Sequence, residues 1–89
     1  MNDADIRHVV ETAIHRIAPE VDIGHLPPGT DLREDLEIDS MDFLNFVDEL
    51  HAQLNLDIPE HDYPALATIE GCVQYLVDQL ARRDDGVVR

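Results

Sequence analysis

The sequence predicts an all-α fold: a small bundle of three longer helices and one short helix, with a long first loop. Apolar residues recur at steps of three and four along three segments, as they do on one face of a helix. Proline and glycine concentrate between these segments, where they favour turns. No run of alternating apolar and polar residues indicates a strand.

The first helix is predicted over about residues 3–18, with Asn2 or Asp3 as its cap. Proline cannot continue a helix, so Pro19 ends it. The apolar face comprises Ile6, Val9, Val10, Ala13, Ile14 and Ile17. A long loop follows over about 19–39, and its apolar residues are expected to pin it onto the helices, with a short turn near Leu32–Glu34.

The second helix is predicted to begin at Asp39 or Ser40 and to end near Asp57–Pro59. Asp39 is the expected N-cap, with Asp42 three residues later in an arrangement similar to a capping box. The predicted buried stripe comprises Phe43, Phe46, Val47, Leu50 and Leu54. Met41 and Leu44 lie beside this stripe and are expected to be partly exposed.

Two further helices are predicted in the last third of the chain. Pro64 suits only a first helical turn, so any helix over about 60–66 is short. Thr68 caps the last helix, whose stripe comprises Ile69, Cys72, Val73, Leu76 and Leu80. The chain is thus expected to form one domain over 1–83, followed by a flexible tail over 84–89.

Charge restricts the possible partners. Six Arg and no Lys stand against 20 Asp plus Glu, for a net charge of −14. Residues 31–62 hold eleven acids and one base, Arg33, a formal charge of −10. Nucleic acid and anionic membrane surfaces are therefore expected to be poor partners, and basic protein surfaces are favoured.

The expected location is the cytoplasm, and the expected state is a monomer. No apolar stretch approaches the roughly 20 residues that span a bilayer, and the first residues lack the pattern of a secretory signal. The single cysteine, Cys72, rules out an intrachain disulfide and suits a reducing compartment.

Neither a metal site nor a catalytic set is predicted. Asp35, Glu37 and Asp39 alternate as in a calcium-binding loop, but Ser40 and Phe46 stand where that loop requires glycine and glutamate. The histidines show no metal-binding spacing, and Cys72 on a buried stripe is read as a core residue. No nucleophile, base and orienting acid form a recognisable set.

Ser40 is the remaining candidate. As a helix N-cap it would contribute about 1 kcal/mol, and the residues alone favour that role while leaving attachment of a group open. The run Ile38-Asp39-Ser40-Met41-Asp42, ahead of an acidic amphipathic helix, resembles the Asp-Ser-Leu/Met motif of acyl carrier proteins. The resemblance extends over roughly residues 5–80. It includes Asp31–Leu36, Asp57–Pro59 and Thr68-Ile69.

The resemblance implies a free-standing acyl carrier protein that is not an enzyme. In that family a phosphopantetheinyl transferase esterifies the serine with 4'-phosphopantetheine from coenzyme A, and acyl groups ride on the thiol of this arm. Ser40 is the matching serine, with Asp39 beside it. The implied docking residues for basic synthase or acyl-transferring enzymes are Met41, Asp42, Leu44, Asp48 and Glu49.

An acyl chain is expected between the second and third helices. The side chains that would contact it are Phe46, Leu50, Ile58, Leu66 and Ile69. These five residues could equally serve only to fill the core, and both interpretations stay open.

Two questions about function also stay open. Glu37 stands where the family usually has glycine or asparagine, which favours a specialised lipid or polyketide pathway at least as much as housekeeping fatty-acid synthesis. The alternative from another class is an unmodified acidic helical adaptor that binds a basic protein partner.

Overall fold

Three α-helices form the body of the protein. The computed structural model describes residues 2–86 and, within them, the side chains other than those of Ile23 and residues 83–86. The helices are α1 (Asp3–Ile17), α2 (Ser40–Leu54) and α3 (Ile69–Gly86), with short 3₁₀ helices at Ile23–His25 and Glu60–Leu66. No strand occurs in this range, and an isolated bridge joins Asp31 to Thr68. The predicted all-α fold is confirmed.

Helix α1 begins and ends at the residues that the sequence predicts, to within one residue. The Asn2 Oδ1 accepts the backbone N–H of Asp5 at 2.8 Å, so Asn2 is the cap. At the other end the Ala18 N–H donates to the Ile14 carbonyl at 2.8 Å, directly before Pro19. The inner face of α1 is buried against both α2 and α3.

Helix α2 presents the predicted stripe to the core. All five predicted residues are buried: Phe43, Phe46, Val47, Leu50 and Leu54. The helix ends at Asn55, which adopts the left-handed conformation with φ of 50°, a common way to terminate a helix.

Helix α3 is capped by Thr68, whose Oγ1 accepts the Gly71 N–H at 3.0 Å. Gly71 lies against the preceding 3₁₀ helix, and a Cβ atom at this position would lie 2.9 Å from the Ala65 carbonyl oxygen. The helix continues to Gly86, so residues 84–86 of the predicted tail are helical, and residues 87–89 lie outside the described part of the chain.

The region around Pro64 forms a seven-residue 3₁₀ helix, Glu60–Leu66, rather than an α-helical turn. Pro64 lies inside it. The element is short, as the proline predicts, and it packs on α3. Leu66 at its end is fully buried, which fixes this segment to the core.

The long loop is held in place by the start of α3 and by Ala67 just before it. The N–H of the fully buried Leu32 donates to the Ala67 carbonyl at 2.8 Å. Two bonds run the other way, from Ile69 N–H to the Thr30 carbonyl at 3.3 Å and from Glu70 N–H to the Pro28 carbonyl at 2.9 Å. These bonds position the part of the loop that leads to α2.

The predicted turn near Leu32–Glu34 forms directly after this anchor. The Asp31 Oδ1 accepts the N–H groups of Arg33 at 3.0 Å and Glu34 at 2.8 Å. In return the Asp35 Oδ2 accepts the Asp31 N–H at 2.8 Å. The 3₁₀ helix Ile23–His25, earlier in the loop, had no counterpart among the predicted elements.

Within residues 2–86, no helix combines the length and the apolar character needed to cross a bilayer.

Candidate functional site

Ser40 is the first residue of α2, and its side chain is exposed. It is also the only serine in the chain. The capping bond at this helix start belongs to Asp39, whose Oδ1 accepts the Asp42 N–H at 2.8 Å. Asp39, the expected N-cap, therefore caps the helix, whereas the local preference for Ser40 as a cap is not what the structure shows.

Arg33 makes a direct contact with this hydroxyl. Its Nη2 donates a hydrogen bond to the Ser40 Oγ at 3.1 Å. The turn closed by Asp31 and Asp35 fixes the backbone of Arg33. In the sequence Arg33 stands out as the one base in an acidic segment, but its contact with Ser40 is not apparent there.

Glu37 adopts the left-handed backbone conformation, with φ of 55°. This conformation costs a residue with a Cβ atom roughly 1–2 kcal/mol, whereas glycine adopts it without that cost. A glycine at this position, which the resemblance noted in the sequence implies, would avoid this cost. Ile38, the next residue, is buried and carries the chain into Asp39.

The predicted docking residues differ in how available they are. Met41 has 66% of its surface exposed and Leu44 has 42%, although both are large apolar residues. Asp48 is exposed, whereas Asp42 and Glu49 are half-buried. Glu49 is also occupied: it pairs with the Arg16 Nε at 3.5 Å and accepts a hydrogen bond from Gln53 at 2.9 Å.

An open cleft of about 510 Å³ lies beside the Arg33–Ser40 contact. Phe43 and Tyr63 lie edge to face there, with ring centroids 5.9 Å apart. The cleft is lined by Asp31, Arg33, Glu34, Ile38, Phe43, Tyr63, Pro64 and Ala67. Sequence reasoning missed Tyr63, because it falls in the segment whose structure the pattern left ambiguous.

The predicted acyl-contacting residues lie elsewhere. Four are in the closed core, with at most 1% of their surface exposed: Phe46, Leu50, Leu66 and Ile69. The fifth, Ile58, lines a second cleft of about 470 Å³ together with Val47, Asp48 and Tyr63. None of the five lines the first cleft.

Two titratable groups away from Ser40 are perturbed. Burial raises the pKa of the Cys72 thiol to about 12, so it stays protonated and is a poor nucleophile. Partial burial, and then the hydrogen bond that Tyr75 donates to Asp62 at 2.7 Å, raise the pKa of Tyr75 to about 12. Among the described side chains, no three His, Cys, Asp or Glu come together as a metal site.

These features at Ser40 fit a phosphopantetheine arm. The hydroxyl is exposed, and a guanidinium lies beside it. The first backbone N–H groups of α2 have no intrahelical acceptor, and the positive end of the helix dipole favours an anion. A phosphate ester on Ser40 would leave the Asp39 cap intact.

Comparison with known proteins agrees with this geometry. A family model described as "Phosphopantetheine attachment site" matches residues 5–76. The chain is 34% identical over 58 residues to an acyl carrier protein of Rubrobacter xylanophilus, an alignment that covers 65% of this chain and 72% of the relative. The resemblance noted in the sequence is therefore confirmed, and the chain belongs to the phosphopantetheine-binding acyl carrier protein family.

Proposed function

We propose that Ser40 carries a covalent 4'-phosphopantetheine arm and that the chain transports acyl groups as thioesters on the thiol of this arm. The observation that carries the proposal is the division of roles at the start of α2. Asp39 caps the helix at 2.8 Å, which leaves the exposed hydroxyl of Ser40 available for modification. The family match over residues 5–76 supplies the chemical class of the modification.

Attachment is a phosphoryl transfer with coenzyme A as donor. The Ser40 Oγ attacks the phosphorus that bears the pantetheine, an Oγ–P bond forms, and the bond to the adenosine-containing phosphate breaks. The proton of the hydroxyl passes to a base of the phosphopantetheinyl transferase. The chain therefore acts as a cosubstrate, and it contributes an accessible oxygen rather than a catalytic residue.

Docking to partner enzymes would use the acidic and apolar surface that follows Ser40. Met41 and Leu44 offer exposed apolar area, and Asp42 and Asp48 offer negative charge. Basic surfaces of the transferase and of acyl-transferring or synthase enzymes complement this pattern. The partner enzymes belong to fatty-acid, polyketide or specialised lipid synthesis, and Glu37 in place of glycine favours a specialised lipid or polyketide pathway at least as much as housekeeping fatty-acid synthesis.

The acyl chain would first meet the open cleft beside Arg33. Ile38, Phe43 and Tyr63 give this cleft apolar walls. The predicted acyl contacts Phe46, Leu50, Leu66 and Ile69 lie deeper, in the closed core, and do not line this cleft.

Intact mass measurement tests the proposal. The purified chain is incubated with coenzyme A, magnesium and a broad-specificity transferase. We expect the mass of one phosphopantetheine on the wild type and on Thr12→Ala, a hydroxyl control on α1, and none on Ser40→Ala. An unmodified wild type, or addition that survives Ser40→Ala, would overturn the proposal. A chain also unmodified in its native host would support the acidic adaptor instead.

A further inference from the structure

Arg33 lies in an acidic segment but contacts a hydroxyl rather than a carboxylate. It is the single base in residues 31–62, where eleven acids surround it in sequence. Among the described side chains, no carboxylate forms an ion pair with it, whereas Arg7 and Arg16 each pair with a glutamate. Its guanidinium instead donates to the neutral hydroxyl of Ser40 at 3.1 Å. A hydroxyl is a weak acceptor for such a strong donor group.

The contact is well suited to an anion on Ser40. A guanidinium presents several N–H donors in a planar fork that matches phosphate oxygens. Phosphorus bonded to Oγ would bring its charged oxygens next to an atom that Arg33 already contacts. The modification therefore replaces a neutral acceptor by a charged one without requiring the arginine to be brought from elsewhere.

The charge of residues 31–62 also favours a contact between Arg33 and an anion on Ser40. Residues 31–62 carry a formal charge of −10, so a phosphodiester anion at Ser40 adds one more negative charge to an acidic region. Among the described side chains, Arg33 is the cation that contacts Oγ. Its backbone is set by the Asp31 carboxylate, which accepts the Arg33 N–H at 3.0 Å, so the guanidinium extends from a fixed turn.

We propose that Arg33 binds the phosphodiester of the arm and so fixes the first part of the arm against the loop that precedes α2. Arg33 is thus a positioning residue. This inference rests on the proposed attachment at Ser40 and adds to it a specific ligand contact: the guanidinium accepts no proton and forms no covalent bond, and its function is to hold the anion.

The test compares unmodified and fully modified protein in four forms: wild type, Arg33→Gln, Arg33→Lys and Arg82→Gln. Arg82 is an exposed arginine on α3, so Arg82→Gln matches the charge change of Arg33→Gln away from the loop. Modification is run to completion and verified by intact mass. Phosphorus NMR then reports the environment of the phosphodiester, and thermal unfolding reports its effect on stability.

We expect the phosphorus resonance of Arg33→Gln to differ from that of wild type, and the resonance of Arg82→Gln to match wild type. Arg33→Lys keeps the charge, so its phosphorus resonance should lie between those of wild type and Arg33→Gln. Modification should raise the melting temperature of wild type about 2–5 °C more than that of Arg33→Gln, as one exposed charge pair implies. This difference should shrink at high salt.

The inference is overturned if wild type and Arg33→Gln, both modified, share one phosphorus resonance and gain equally in melting temperature. It is also overturned if Arg82→Gln shifts both readouts as much as Arg33→Gln, because the effect would then be one of net charge. A wild-type chain that gains no mass overturns the proposed function and this inference together, so the two failures are distinguishable.

Discussion

The Asp39 carboxylate accepts the Asp42 N–H at 2.8 Å, and this bond closes the first turn of α2. Ser40, between them, makes no capping bond, and its Oγ instead accepts a hydrogen bond from Arg33. The two neighbouring polar residues therefore have separate tasks, one in the fold and one at the surface. Substitutions at the two positions should separate these tasks.

We expect Asp39→Ala to lower the free energy of unfolding by about 1 kcal/mol, the usual contribution of an N-cap. Ser40→Ala should lower it by less than about 0.5 kcal/mol, as for an exposed residue outside the cap. Urea unfolding of the unmodified proteins measures both values. Equal losses at the two positions would show that Ser40 shares in capping.

Glu37→Gly should stabilise the protein by up to about 1 kcal/mol, because relief of roughly 1–2 kcal/mol of Cβ clash exceeds the cost of the added chain entropy. Glu34→Gly is the control: Glu34 is also exposed and lacks positive φ, so this variant should lose stability through added chain entropy. The two variants carry the same charge change, and urea unfolding compares them. A loss of stability for Glu37→Gly would contradict the strain at this residue.

Gly71→Ala should destabilise the protein by about 1–3 kcal/mol, in spite of the better helix propensity of alanine. The added Cβ would lie 2.9 Å from both the Ala65 carbonyl oxygen and the Thr68 Oγ1. Gly29→Ala places its methyl group in open space and should be neutral or slightly stabilising. Thermal unfolding checks the pair, and a neutral Gly71→Ala would mean that α3 shifts without cost.

Asp48→Asn should raise the KM of a phosphopantetheinyl transferase for this chain about two- to fivefold at low salt, because an exposed carboxylate is available to a basic partner. Glu49→Gln should change KM less, since Arg16 and Gln53 already occupy that carboxylate. Steady-state kinetics at low salt and at roughly 0.5 M salt, where such attraction is screened, measures both. Equal increases in KM for the two substitutions would contradict the prediction that Asp48 matters more than Glu49.

Alkylation of thiols should distinguish the arm from Cys72. Because burial raises the pKa of Cys72 to about 12, its thiolate is negligible at mildly alkaline pH. We expect native modified protein to take up one alkyl group quickly, and native unmodified protein to take up none in the same time. Denaturant should add one group to each form. Fast labelling of the native unmodified chain would show that the core around Cys72 opens readily.

The helices were predictable because their ends carry local signals. Asn2, Asp39 and Thr68 cap the three α-helices, as their side chains and positions indicate. The stripe of α2 was also predictable, since helical periodicity alone sorts its buried and exposed residues. Ser40 was identified by its family motif, whereas local chemistry by itself favoured a cap.

The loop anchor, the position of Arg33 and the cleft depend on contacts between distant parts of the chain. The bond from Leu32 N–H to the Ala67 carbonyl involves backbone atoms, which leave no signature in the sequence. The contact of Arg33 with Ser40 follows from this anchor and from the turn after it. The cleft could not be predicted either, because its walls include Tyr63 and Pro64 from a segment with no clear period.

The anchoring of the long loop at the start of α3 shortens the lengths of chain that are free to move. Bonds from Leu32, Ile69 and Glu70 fix residues 28–32 and divide the connection into two shorter spans. Each span then has a length that is ordinary for a compact domain, with a correspondingly smaller entropy of closure. The second span runs from buried Leu32 to the cap at Asp39, so the segment that leads to Ser40 is short and is fixed at both ends.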